Sequence, residues 1–387
     1  MVSLHIVSTN HKSNISHMQT VSFKQHNNFD FIRLVLAMLV IITHTYVNYY
    51  GNLNFEPFWI FSHQRISLGN IAVGYFFLIS GYMIAQSWFR SGNALSFLYK
   101  RALRVYPAFA WVTLVTALLF VPLGNQLYHS SIVAYGKYLH TVDFNYLPQT
   151  VIRLKEPFLP ASFLKNPMPN EVNYSLWTIQ HEFICYLVLM FLGILKIIRF
   201  KWIILGVALL SILCLGYFQF GNTLWISNKI KPENFSILFG LTLLLPFFLA
   251  GVCYYHFEKY FPKKKSWAIL CLLIMILSAR YTNAFLFFQM TLGSYFIFWF
   301  AYNKKFTFKW PTHYGDFSYG VYLFGCPIQQ VLIYYFGASL NFYLVLTLSY
   351  LFVIPFAVFS WFIIEKPFLK LKNVSLTFST VKALLKI

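Results

Sequence analysis

Acidic residues are scarce in this chain. Asp and Glu together number 10 in 387 residues, and charged residues of both signs reach only 10%. A soluble globular domain carries roughly 25%, so a fold with water on every side is excluded. Cysteine is sparser still, at 5 residues. Cys185, Cys214, Cys253, Cys271 and Cys326 all lie in apolar segments and form no CxxC pair, which supports neither a disulfide framework nor a zinc site. Residues 1–28 hold no apolar run ahead of Phe29, so they read as a polar cytoplasmic tail and not as a cleaved signal peptide. His5, His11 and His17 recur there every six residues, a spacing that suits no helix face or metal pattern. No 20–50-residue repeat and no low-complexity linker divides the chain.

Apolar residues are abundant: 58% of the chain is hydrophobic and 21% aromatic. A run of about 18 apolar residues is long enough to cross the hydrocarbon core. Such segments occur near 29–50, 68–89, 105–123, 176–198, 202–218, 238–257, 266–281, 283–301, 315–336 and 340–364. They predict an all-α integral membrane protein of about ten transmembrane helices. One membrane domain, 29–371, then sits between the polar tail and a basic cytoplasmic tail, 372–387. The formal net charge of +20 would suggest nucleic acid in a soluble protein. Here the cations cluster between apolar segments, which reads as membrane topology with no nucleic-acid partner. With the N-terminus inside, 21 of the 30 Lys and Arg fall on the cytoplasmic side and 8 outside. That bias places both termini in the cytoplasm. The stretch from Pro122 to Tyr174 is then a long outside loop, either functional or a simple insertion.

Titratable side chains inside apolar segments are costly and are functional candidates for that reason. Arg33 and His44 stand eleven residues apart in the first segment, three turns plus roughly 20°, so they share a helix face about 16 Å apart along the axis. They cannot touch. The bland alternatives are a snorkelling arginine and a histidine in an interhelical hydrogen bond. Glu182, in NYSLWTIQHEFICYL, counts to the same depth as His44, which makes the two candidates to meet. A carboxylate beside an imidazole would hold its tautomer for general base work, although a purely structural Glu–His bridge fits too. His181 points about 100° from Glu182, so Glu182 is favoured to face a cavity, with His181 supporting. Gly69, Gly74, Ser80 and Gly81 permit close helix packing. Arg101 and Arg104, three apart, share a helical face. Topology alone explains them, or they form a phosphate clamp with Arg33.

In order along the chain, Arg33 and His44, GYFFLISGYMI, RALRVYPAF, NYSLWTIQHEFICYL, GDFSYGVYLFGCPIQ and IIEKPF resemble the acyltransferase-3 family of integral-membrane acyltransferases, from Phe29 to about Leu371. The resemblance implies O-acylation of a glycan or lipid-linked sugar outside by acetyl-CoA (acyl-CoA) from the cytoplasmic side, in a bacterial inner membrane, with no bound cofactor or metal. It implies catalytic parts for His44 and Glu182, donor binding by Arg33, Arg101 and Arg104, and supporting parts for Ser80, Asn173, Trp177 and His181. The sequence departs from the family at Gly325, where many relatives carry a histidine. The alternative reading is a transporter or flippase with an intramembrane His/Glu proton relay.

Overall fold

The computed structural model describes residues 27–373, apart from 92, 126–130, 142–145, 156–161, 222–225, 227, 304, 306–307, 309–314 and 338. His5, His11 and His17, with most of both tails, lie outside the described residues. All ten apolar segments are helical. In chain order they are α1 (Phe29–Tyr50), α2 (Leu68–Arg90), α3 (Ala94–Leu123), α4 (Trp177–Ile194), α5 (Lys201–Phe220), α6 (Pro232–Phe257), α7 (Lys265–Tyr281), α8 (Phe285–Ala301), α9 (Ser318–Phe336) and α10 (Phe342–Lys370). Among the described residues, the helices α1 to α6 and α10 are long and apolar enough to cross a membrane. The pair α7 and α8 is shorter. The chain is an all-α integral membrane protein.

Local chemistry sets where helices begin and bend. Ser67 and Asn70 form a reciprocal capping box at the start of α2, satisfying amide groups that would otherwise be orphaned. Ahead of it, fully buried Glu56 accepts from the amides of Trp59 (2.5 Å) and Leu68 (3.2 Å) and fixes the α1–α2 connection. Burial pushes that carboxyl up, against the opposing pull of the amides. π-helical turns interrupt α3 at Thr116–Phe120, α8 at Gln289–Gly293 and α10 at Ser360–Glu365. Such turns rotate the side chains that follow and recur at functional sites.

Packing follows the polar and small residues. α9 is buried on nearly every side, as expected of the helix at the centre of a bundle. It is fastened to α1 by Asn48 and Gln329, both fully buried. Asn48 Nδ2 donates to Gln329 Oε1 (3.0 Å), while Gln329 Nε2 donates to the Ile41 carbonyl (2.9 Å) and Thr45 Oγ1 (2.7 Å). Asn166 and Glu171, between α3 and α4, are bonded back to the bundle. Asn166 donates to Gln330 Oε1 at 2.6 Å, and Gln330 donates to the Glu171 carbonyl at 2.6 Å.

α2 and α6 meet backbone to backbone. A Cβ on Gly81 would lie 1.9 Å from the Phe248 carbonyl oxygen, and one on Gly251 2.0 Å from that of Leu78. Only glycine permits this approach, so the helices must separate if either position gains a side chain. Gly81→Ala is expected to lower the thermal unfolding midpoint in detergent by the equivalent of about 1–3 kcal/mol. Gly206→Ala, at an open position on α5 with nothing within 4 Å, is the control and should be neutral. Equal midpoints for the two variants would refute the close α2–α6 contact.

Candidate active site

At the end of the bundle where α1 begins and α2 ends lies a cavity of about 340 Å³. Arg33, Ser80, Arg101, Arg104, Glu182 and Asp316 all line it. Arg33 Nη1 lies 2.5 Å from Asp316 Oδ2, and Arg104 Nη2 lies 2.6 Å from the same oxygen. Arg104 also reaches Glu365 Oε2 at 3.3 Å through its other nitrogen. One continuous ion network therefore joins α1, α3, the turn before α9 and the end of α10.

The turn that supplies Asp316 is built for it. Gly315 adopts φ +143°, a region closed to most L-residues, and a Cβ there would fall 2.1 Å from Trp361 Nε1. Ser318 Oγ then donates to Asp316 Oδ1 at 2.5 Å. Burial alone would push the Asp316 carboxyl up. The Arg33 and Arg104 guanidiniums and the Ser318 hydroxyl outweigh it and hold the group well below the usual carboxylate range. Glu365, 2% exposed, is aimed inward by the π turn of α10 and takes a bond from Ser360 Oγ at 3.3 Å.

The expected three-arginine clamp is thus modified. Arg33 and Arg104 are already satisfied by Asp316 and Glu365, whereas Arg101 enters no ion pair among the described residues, and its Nε is buried without a hydrogen-bond partner.

Glu182 lies across the same cavity. Its Oε1 accepts from Ser80 Oγ at 3.3 Å and from the Tyr186 hydroxyl. Ser80 is therefore a carboxylate donor and not a packing residue like its neighbour Gly81. His181 lines neither cavity of the site. Its Nδ1 donates to the Trp177 carbonyl at 2.8 Å, and its Nε2 abuts Gly240 of α6, where a Cβ would come within 2.2 Å.

His44 lines a second cavity, of about 390 Å³, with Thr43, Asn70, Tyr174, Trp177 and Gln219. Its ring lies 4.8 Å from that of Tyr174. His44 and Glu182 are not brought together, and no hydrogen bond joins them. Depth counting sets the height of a side chain in the bilayer but not its azimuth. Val73 of α2 and Tyr322 of α9 border both cavities and stand between them. Tyr322 is held there by its hydroxyl, which donates to the Ser175 carbonyl (2.7 Å) and pairs with Thr178 Oγ1 (2.6 Å). Asn173 latches the start of α4 to α9, donating to the Leu323 carbonyl at 3.0 Å. Trp177 contributes directly to the wall around His44. At Gly325 a Cβ would lie 3.0 Å from Ile41, so α9 packs tightly on α1 there.

Sequence reasoning missed Asp316, Glu365, Tyr186 and Tyr322. The two acids carried a usable signal: with only 10 acidic residues in the chain, an acid beside a basic stretch at a helix end is a candidate partner for a buried cation. The tyrosines, two among 27, carried none. Asp316→Asn should leave two buried guanidiniums short of their counter-charge and cost ~3 kcal/mol. The measurement is the thermal midpoint in detergent. Asp316→Glu should recover part of the loss, and an unchanged midpoint in Asp316→Asn would remove the network as a structural tie.

The chain is 28% identical over 368 residues to an O-acetyl transferase of Shigella phage Sf6, covering 89% of this chain and 96% of that protein. It is 29% identical over 254 residues to nodulation protein 10 of Rhizobium leguminosarum bv. viciae, covering 62% of this chain and 64% of the relative. No solved structure matches. Residues 26–366 match the acyltransferase-3 family, described as an acyltransferase domain. The match takes in the His44 cavity, the whole ion network and all of the arginine cavity except Leu369 and Lys372, and the chain belongs to the acyltransferase-3 family of membrane acyltransferases.

Proposed function

We propose that the protein moves an acetyl group, or another acyl group, from cytoplasmic acyl-CoA to a hydroxyl of a cell-surface or lipid-linked glycan. The observation that carries this reading is the pair of adjoining cavities along α1. One is rich in cations around Arg33, Arg101 and Arg104, and the other holds an imidazole, with Val73 and Tyr322 as the common wall. The positive-inside bias supports a cytoplasmic-facing arginine cavity, in what this reading takes to be a bacterial inner membrane. The phosphates of the donor rest at that face, and its thin arm passes the Val73–Tyr322 wall toward His44. Arg33 and Arg104 already face carboxylates, so their share is orientation of the phosphates and not net attraction. Glu182 contacts the donor from the opposite wall, and Ser80 fixes its carboxylate.

Two routes use His44. As a base, it takes the proton of the acceptor hydroxyl as the oxygen attacks the thioester carbonyl. The C–S bond breaks, and the leaving thiolate recovers the proton as free thiol. As a carrier, the imidazole nitrogen attacks the thioester first, the C–S bond breaks, and coenzyme A leaves as the thiol with the ring N–H proton; the acceptor oxygen then attacks the acyl group, the C–N bond breaks, and the hydroxyl proton returns to the imidazole. The aromatic and amide groups around His44, among them Tyr174, Trp177 and Gln219, suit a sugar acceptor.

The test uses the full-length protein in detergent with radiolabelled acetyl-CoA and a surface-glycan fraction. His44→Ala should lower glycan labelling by about 10²–10⁴ with an unchanged thermal midpoint; labelling at the wild-type rate would sink the proposal. Acid-quenched label on the wild-type protein, without acceptor, would select the carrier route over direct transfer.

A further inference from the structure

The arginine cavity has a cation that its sequence position conceals. Lys372 follows the last helix, where it reads as the first residue of a polar basic tail. It folds instead into a single turn, Leu371–Asn373, and lines the mouth of the cavity with Leu369 and Trp361. It is half-buried there, whereas Lys370 two residues earlier is exposed. Lys372 enters no ion pair or side-chain hydrogen bond among the described residues, and neither does Arg101. Among the described residues, Arg101 is also the one guanidinium whose Nε is buried without a partner. The other two cavity arginines are committed to Asp316 and Glu365. Glu182 faces Arg101 across the cavity without forming an ion pair, so a built cavity holding two cations outside any ion pair attracts an anion, because bringing it in relieves both burial and mutual repulsion.

We propose that Lys372 and Arg101 form the seat for the donor's phosphate groups, with Lys372 as the affinity-determining cation at the mouth. The inference rests on the acyl-CoA reading and names the residues that would hold the donor. The surroundings of Lys372 support it. Burial, with Arg101, Arg104 and Lys100 facing the ammonium, lowers its pKa to about 7, and Asp316 opposes this. At pH 7 the empty seat is therefore only partly protonated, and the bound state needs the ammonium. As pH rises above 7 the amine is neutral, and donor binding must take up one proton. Affinity should fall, by up to tenfold per pH unit. Between pH 7 and 8.5 phosphate is already close to fully ionised, so the decline reports the lysine.

Binding of coenzyme A to the full-length protein in detergent, with phosphate-free pantetheine as the second probe, tests the seat. Lys372→Gln should weaken coenzyme A binding at pH 7 by tenfold or more and leave pantetheine binding unchanged. Lys370→Gln removes the same charge from the same face outside the cavity and should change coenzyme A binding by less than twofold. Lys372→Arg should keep the affinity and abolish the decline between pH 7 and 8.5. Coenzyme A binding within twofold of wild type in Lys372→Gln, with acetyl-CoA turnover intact, would overturn this inference and leave the donor reading standing. A wild-type protein that neither binds coenzyme A nor consumes acetyl-CoA would overturn both. Loss of a co-purified anionic phospholipid in Lys372→Gln, with coenzyme A binding unchanged, would assign the lysine to a lipid headgroup and overturn the inference as well.

Discussion

Everything at the site depends on one arrangement: Asp316 shared by Arg33 and Arg104, with Glu365 closing the chain of charges from the far side. A guanidinium drawn into an apolar bundle costs several kcal/mol unless a carboxylate accompanies it. Satisfying that demand ties the first helix, the third, the turn before the ninth and the end of the tenth into one unit. The backbone serves the same end. Gly315 takes a conformation other residues avoid, Trp361 packs on it, and the π turn of α10 rotates Glu365 inward.

The network also sorts the cations by role. Arg33 and Arg104 are neutralised where they stand, so they build the cavity wall. Arg101 and Lys372 stand outside those ion pairs. A cavity lined in this way is rigid where it must be positioned and electropositive where an anion would enter. Beyond it, Val73 and Tyr322 separate the cationic cavity from the one that holds His44. Tyr322 is fixed by the Ser175 carbonyl and Thr178, so the barrier between the compartments is an ordered hydrogen-bonded feature and not a chance contact.

The helical segments were readable because the bilayer imposes a simple rule: apolar runs of sufficient length become helices. The shared face of Arg33 and His44 was readable because helical geometry alone sets it, and both residues do line cavities that adjoin along α1. The pairing of Glu182 with His44 was not. Residues at one depth on different helices meet only if the helices are rotated toward each other, and α4 turns Glu182 toward Ser80 and Tyr186 instead. Ser80 shows the same limit, since a small residue among glycines reads as packing until its hydroxyl is found on a carboxylate.

What the sequence determined by itself is the solvent, the helices, the family, and the residues too expensive to bury without purpose. These follow from composition, local periodicity and ordered motifs, each carried by neighbours along the chain. What only the tertiary structure decided is which charges are already spent on one another. Arg33 meets Asp316 across 283 positions of sequence and Arg104 meets Glu365 across 261. Such partners are chosen by helix rotation and by the turn at Gly315 that carries Asp316. Those long-range contacts, and not the identity of the residues, separate an arginine that holds the fold from one that remains for a ligand.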